Sequence, residues 1–209
     1  MQFIYVMDPM CGWCYGFQPE LERFLTPYPD AQVSWVMGGL APDTTQPMAQ
    51  SLKDTIASYW VEIERRTSVT FNHDFWHLNT PVRATYQACR AVIAAQSLRE
   101  QGLQEHGAMD MAKAIQAAYY QQAKNPSLDA TLVGCATAIG LDGVQFESVL
   151  HAAETEAQFQ QHLDLARQLQ VTGFPALFYI NENGYAYPLT LGFCFVEELE
   201  QRLKTYTKS

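Results

Sequence analysis

The chain is 209 residues long with a formal net charge of −9, and 48% of its residues are hydrophobic and 12% aromatic. That length suits one domain, or one domain carrying a large insertion, and the apolar content can fill a sizeable core. The negative balance argues against nucleic acid and anionic membranes as partners, and no stretch approaches the roughly 20 apolar residues of a membrane span.

Met1 runs directly into strand-like sequence, with no basic segment, apolar run and small-residue cleavage site, which predicts a cytoplasmic protein. Gln2-Phe3-Ile4-Tyr5-Val6-Met7 reads as that strand and Asp8-Pro9-Met10 as a tight connector. Next comes Cys11-Gly12-Trp13-Cys14, at the start of a helix over Gly12 to Leu25. Two thiols at i and i+3 are neighbours on a first helical turn. The free N–H groups and macrodipole at that end favour negative charge, which suits a thiolate. A strand, a Cys-x-x-Cys and a helix in this order form a redox context. Half a zinc site would need two more ligands, and Cys89, Cys135 and Cys194 stand singly with no His at ligand spacing. Five cysteines dispersed over this length make no disulfide scaffold.

Phe17, Leu21, Phe24 and Leu25 supply the buried face of the helix, and Pro19 inside it is expected to kink it or shift its start. Ala31 to Met37 is a second strand, closed by Gly38-Gly39; a βαβ beginning implies a parallel pair with a right-handed crossover. Helical spacing then dominates. Met48 to Glu64 carries Leu52, Ile56, Tyr59, Trp60 and Ile63 on one face, and Phe71 to Asn79 is aromatic and irregular. Pro81 reads as the first position of a helix over Val82 to Gln101. Further helices are predicted over Ala108–Ala123, Leu128–Ile139, Val144–His151 and Glu154–Leu169. Strand character returns after Thr172-Gly173-Phe174-Pro175, as Ala176–Ile180 and Tyr185–Leu189 around the turn signal Asn181-Glu182-Asn183-Gly184. A helix over Val196 to Tyr206 closes the chain. Two sequence-distant strand pairs are unstable apart, so they are expected to join in one sheet with the helical block inserted between its halves. The expected division is a domain formed by 1–45 with 171–209, and a helical insertion over 46–170.

This order resembles the DsbA-like branch of the thioredoxin superfamily over essentially the whole chain. The motifs that carry the likeness are Asp8-Pro9-Met10-Cys11-Gly12-Trp13-Cys14-Tyr15-Gly16 and Thr172-Gly173-Phe174-Pro175. The cysteine motif resembles the signature of bacterial cytoplasmic members, including relatives of polyketide-biosynthesis oxidoreductases. The Thr172–Pro175 motif is similar to the loop that carries the superfamily's cis-proline. The fold implied is α/β, thioredoxin-like, with a large all-helical insertion between the βαβ and ββα halves. The family's periplasmic oxidant has Pro-His between its cysteines where this chain has Gly12-Trp13, which argues against a strongly oxidising role.

The resemblance implies Cys11 as the exposed nucleophile and Cys14 as the thiol that resolves the mixed disulfide. It places Pro175 opposite the pair with a cis bond, leaving Phe174 backbone groups free to dock an extended substrate. Trp13 and Phe174 could form an apolar lip, or Trp13 could cover the site. Asp8 could accept the Cys14 proton, or serve as a turn residue bonding its own backbone. Cys89, Cys135 and Cys194 are expected to be small buried hydrophobes, and His73 and His77 to be solvated or capping residues rather than metal ligands.

Three functional readings follow. The leading one is a cytoplasmic thiol–disulfide oxidoreductase, a reductase or isomerase for protein or small-molecule disulfides. It needs no resident cofactor, and glutathione is a candidate reductant or co-substrate. The runner-up is a glutathione-dependent enzyme, because the same fold and insertion resemble kappa-type glutathione transferases and hydroxychromene-carboxylate isomerases. Cys14 speaks against it, since a transferase needs no resolving thiol. The third is a non-enzymatic binding or chaperone-like module.

Overall fold

Alternation along β1 (Gln2–Met7) settles how the core divides in the computed structural model, which describes residues 1–103 and 107–207. Phe3, Tyr5 and Met7 project into the main core with Phe17, Leu21 and Phe24 of α1 (Gly12–Leu25). Val6 projects to the other face, with Val36 of β2 (Gln32–Met37) and with Ala176 and Phe178 of β3 (Ala176–Ile180). That two-residue period is the strand signature, and it leaves β1 buried on both sides. The sheet order is β2-β1-β3-β4, where β4 is Ala186–Leu191. β1 runs parallel to β2 and antiparallel to β3, and β3 and β4 form a hairpin around Gly184, whose φ is +81°. With α9 (Val196–Thr207) this is a thioredoxin fold, and a helical insertion lies between β2 and β3.

The insertion comprises α2 (Gln50–Arg66), α3 (Phe75–Leu78), α4 (Tyr86–Glu100), α5 (Ala108–Gln116), α6 (Asp129–Ala138), α7 (Gly143–Leu150) and α8 (Ala153–Gln168). α4 is its axis and packs on α5, α6, α7, α8 and β2. Ala88, Cys89, Ala91, Val92, Ala94, Ala95 and Leu98 of α4 are buried on several sides. A helix apolar all round belongs in an interior, and small alanines let its neighbours approach closely. Ala166 of α8 covers the second face of the sheet.

Several boundaries and one face differ from the sequence reading. Pro81 does not start α4: Val82 bridges to Pro47, and the Thr85 N–H donates to the Ala41 carbonyl at 3.0 Å, so these backbone groups serve tertiary pairing and the helix begins at Tyr86. The helix expected to reach Ala123 widens after Gln116 into a π turn, Ala117–Gln121, which buries Tyr119 and Tyr120 side by side. β4 runs on to Leu191, and a single helical turn forms at Phe75. On α2 only Trp60 and Ile63 are buried, while Tyr59 is 55% exposed, because the helix meets the body through its C-terminal half. Pro19 does not shift the start of α1, which begins at Gly12 and runs through it.

Candidate functional site

The connector after β1 is folded by Asp8. Its Oδ1 accepts the Met10 N–H at 2.8 Å and its carbonyl accepts the Cys11 N–H at 3.0 Å. This turns the chain so that Cys11 is the N-cap of α1, in extended conformation and with no side-chain cap bond. A Cβ at Gly12 would stand 2.8 Å from Ile63 Cδ1, and one at Gly16 2.9 Å from Ile63 Cγ2, so both glycines let α2 rest directly on the first turns of α1.

The two thiols differ in access. Cys11 is 6% exposed and Cys14, one turn deeper, is fully buried. Burial pushes the Cys14 thiol well up from its ordinary value, and the neighbouring Cys11 thiol adds to this. Neither cysteine is in a disulfide.

The Phe174–Pro175 bond is cis, and the Phe174 carbonyl oxygen lies 3.8 Å from Cys11 Sγ. The Phe174 ring packs on Gly38, where a Cβ would come within 2.0 Å of its Cε1. The Gly38 N–H donates to the Met7 carbonyl at 2.7 Å, and the Gly192 N–H to the Pro175 carbonyl at 2.7 Å. The loop is therefore anchored to both β1 and the end of β4. Trp13 is half-buried: its ring meets Phe193 at 5.6 Å, and the Arg66 guanidinium lies over it at 5.2 Å. The structure thus brings Cys11, Cys14, Phe174 and Pro175 together, and Trp13 packs with Phe193 and Arg66.

Asp8 is fully buried behind the pair and bonds both its own turn and distant groups. Oδ2 accepts the Thr85 hydroxyl at 2.6 Å, the Leu40 N–H at 2.7 Å and the Cys89 thiol at 3.4 Å. Burial raises its proton affinity, and those donors pull the other way without cancelling it. Its negative charge adds to the upward push on Cys14. Cys89 is accordingly more than a small hydrophobe: its thiol belongs to the Asp8 network, and burial and the Asp8 charge raise it well above its ordinary value. The hydroxyls of Tyr5 and Tyr120 are also buried around the pair without a well-formed hydrogen bond, and Cys14 is the polar side chain beside Tyr5.

The remaining singled-out residues lie elsewhere. His73 Nε2 is 3.2 Å from Glu64 Oε2, and His77 is exposed. Among the described residues no three His, Cys, Asp or Glu side chains are grouped to hold a metal. Cys135 donates to the Ala114 carbonyl at 3.6 Å, and Cys194 is buried near Thr190. Sequence reasoning missed Thr85, Gly38, Phe193 and Arg66. The i, i+4 pair Thr85 and Cys89 at the start of α4 is the one local signal that pointed toward a shared contact.

Residues 3–204 match the DSBA-like thioredoxin domain family. A candidate protein disulfide isomerase from Nitrosomonas europaea is similar in structure, with 25% identity, a TM-score of 0.85, and 99% of this chain and 97% of that one covered. The cytosolic disulfide reductase DsbM of Pseudomonas aeruginosa shares 24% identity and a TM-score of 0.78 over 100% of this chain and 98% of its own, a likeness of fold; it is also known with GSH. The ClpXP adapter protein SpxH of Halalkalibacterium halodurans is 22% identical over 85% of this chain, which spans 58% of that relative's length.

Proposed function

This chain belongs to the DSBA-like thioredoxin domain family, and on that footing we propose that it is a cytoplasmic thiol–disulfide oxidoreductase acting as a reductase or isomerase through Cys11 and Cys14. One observation carries the reading: a Cys11 thiol at a helix N-cap, 6% exposed and opposite the Phe174 carbonyl at 3.8 Å, with the other thiol fully buried behind it.

Cys11, as thiolate, attacks one sulfur of a substrate disulfide, forming a Cys11–substrate disulfide and releasing one substrate thiolate. Cys14 gives its proton to Asp8 and attacks Cys11 Sγ. That breaks the mixed disulfide, releases the other substrate thiolate and leaves a Cys11–Cys14 disulfide. Two electrons have passed to the substrate. Two equivalents of a thiol such as glutathione restore the dithiol by the reverse exchange and leave as their disulfide. The Phe174 backbone is suited to dock a protein or small-molecule disulfide beside Cys11. Support for cytoplasmic glutathione chemistry comes from the likeness to cytosolic DsbM, known with GSH.

The test is insulin reduction with glutathione as donor, on wild type and Cys11→Ser. Turnover that disappears in Cys11→Ser supports the reading, and an inert wild type overturns it. The likeness to a ClpXP adapter favours an alternative, a binding module that uses the fold without redox turnover. A dithiol inert toward every disulfide, in a protein that still binds a partner, would favour that alternative.

A further inference from the structure

Arg66, at the C-terminal end of α2, is placed at the rim of the dithiol by the contact between α2 and α1. Ile63 lies against Gly12 and Gly16, and Arg66, three residues on and so on the same helix face, reaches over Trp13, two residues beyond Cys11. The guanidinium stands 5.2 Å from the Trp13 ring centroid and 5.9 Å from that of Phe193. These faces hold a cation without consuming its hydrogen bonds.

Among the described residues Arg66 has no ion pair or side-chain hydrogen bond. On its other side it borders an open groove of about 670 Å³ along the later turns of α1, lined also by Pro19, Thr26, Thr67, Ser68 and Phe195 and by none of the dithiol residues. The other charges of this groove are matched: Glu20 pairs with Arg23 and accepts the Val196 N–H at 3.0 Å, and Glu22 pairs with Lys113 at 2.6 Å. One unmatched guanidinium therefore faces the groove, in a chain whose net charge is −9. A guanidinium held flat on aromatic rings offers its N–H edge to a planar carboxylate in bidentate fashion.

We propose that Arg66 is a carboxylate anchor that selects carboxylate-bearing small disulfides and thiols, of the glutathione class, over neutral ones at Cys11. The proposal rests on the oxidoreductase function above and adds a determinant of its substrate class.

The experiment is single-turnover oxidation of the pre-reduced protein at pH 7 and low salt, by excess glutathione disulfide or by excess neutral bis(2-hydroxyethyl) disulfide. The dithiol remaining is alkylated after quenching and weighed by mass spectrometry. The readout is the ratio of the two second-order rate constants. Arg66→Gln is expected to lower that ratio about three- to tenfold, Arg66→Met to do the same, and Arg66→Lys to keep most of it. Raising the salt should lower the ratio for wild type and leave it flat for Arg66→Gln. Arg65→Gln, whose side chain pairs with Glu62 at 3.8 Å, is the neighbouring control. An unchanged ratio in both Arg66→Gln and Arg66→Met overturns the anchor. A wild type inert to both disulfides overturns the oxidoreductase reading instead.

Discussion

Thr85 donates its hydroxyl hydrogen to Asp8 Oδ2 at 2.6 Å, joining the head of α4 to the turn that carries the dithiol. The same Thr85 oxygen accepts the Ala41 N–H at 3.0 Å, so one buried hydroxyl ties the insertion to both the β1 and the β2 ends of the site. Thr85→Val keeps the shape and removes both bonds. A hydrogen bond to a charged group is worth about 1.5–3 kcal/mol, so stability should fall by about 2 kcal/mol. Losing a donor also raises the proton affinity of Asp8 further, so the pH dependence of mixed-disulfide resolution should move upward. Urea unfolding and a pH profile of single-turnover rates check the two effects, and an unmoved profile would separate Thr85 from the chemistry.

Asp8 has its own pH signature. Its unfolded value is about 3.9, and burial raises the folded one. The folded chain therefore holds this proton more tightly than the unfolded chain. The stability it contributes is full below the unfolded value and is lost as pH rises through the folded value. Asp8→Asn has no such loss. It gives up one acceptor among four donors, a cost that does not vary with pH. Relative to wild type, Asp8→Asn should thus gain stability as pH rises from the unfolded value through the folded one and level off above it, while resolving mixed disulfides more slowly. Denaturant titrations decide it; a relative loss as pH rises would mean that burial does not raise the proton affinity of Asp8.

Strands were legible because period and residue type agree there. β1 and β3 run over the residues predicted for them, and the Asn-Gly turn marks the hairpin. What the sequence hid depends on partners far along the chain. Pro81 reads as a helix start until Ala41 and Met48 claim the backbone groups of Pro81 and Thr85. Tyr59 fits the apolar stripe of α2 by spacing, yet that part of the helix has nothing to cover it. Cys89 looks like packing when Asp8, 81 residues away, is out of view. Arg66 looks like a solvated helix end until Trp13 and Phe193 are seen beneath it.

Cys11 is expected to be the first thiol to react. It is the partly exposed one, while Cys14 is fully enclosed with its thiol pushed up by burial. Limiting iodoacetamide at pH 7 should label Cys11 at least tenfold more than Cys14, read by peptide mapping, given that the thiolate is the nucleophile. Cys14→Ser should then accumulate mixed disulfides in a cell lysate, visible on non-reducing gels. Cys11→Ser should not. The opposite pattern would exchange nucleophile and resolver.

Gly38 is the seat of Phe174. A Cβ added there would stand 2.0 Å from Phe174 Cε1 and 2.2 Å from Cζ, so the ring has to leave its place over the end of β2. Gly38→Ala should cost about 1–3 kcal/mol, as overpacking does, and should shift the loop that puts the Phe174 carbonyl beside Cys11. Disulfide reduction should drop by more than the loss of folded protein accounts for. A thermal melt alongside turnover per folded molecule measures this, and a turnover that merely tracks stability would show that the loop's position does not matter.

The last prediction concerns the direction of electron flow. A dithiol becomes a strong oxidant when its reduced form is over-stabilised, chiefly through a favoured thiolate. Between about −270 mV for a reductase and about −120 mV for a strong oxidant the difference is about 7 kcal/mol, at 1.4 kcal/mol per 30 mV. Gly12 and Trp13 bring no titratable group between the cysteines. Cys11 Sγ lies beside the Phe174 carbonyl, which can bond a thiol and has no proton to give a thiolate, and the donor that faces it is the Cys14 thiol. Asp8, behind the pair, adds negative charge when ionised. Beyond the Cys14 thiol, a donor that any Cys-x-x-Cys pair has whatever its potential, what remains is the N-terminus of α1, worth about 0.3–1 kcal/mol when exposed and up to about 2 kcal/mol when partly buried. That covers a minor part of the gap. The potential should therefore lie below about −200 mV, on the reductase side. Equilibration in graded glutathione buffers, followed by alkylation and mass analysis of the Cys11–Cys14 pair, measures it. A value near about −120 mV would mean that a source of thiolate stabilisation other than these groups acts on Cys11, and would reverse the assigned direction.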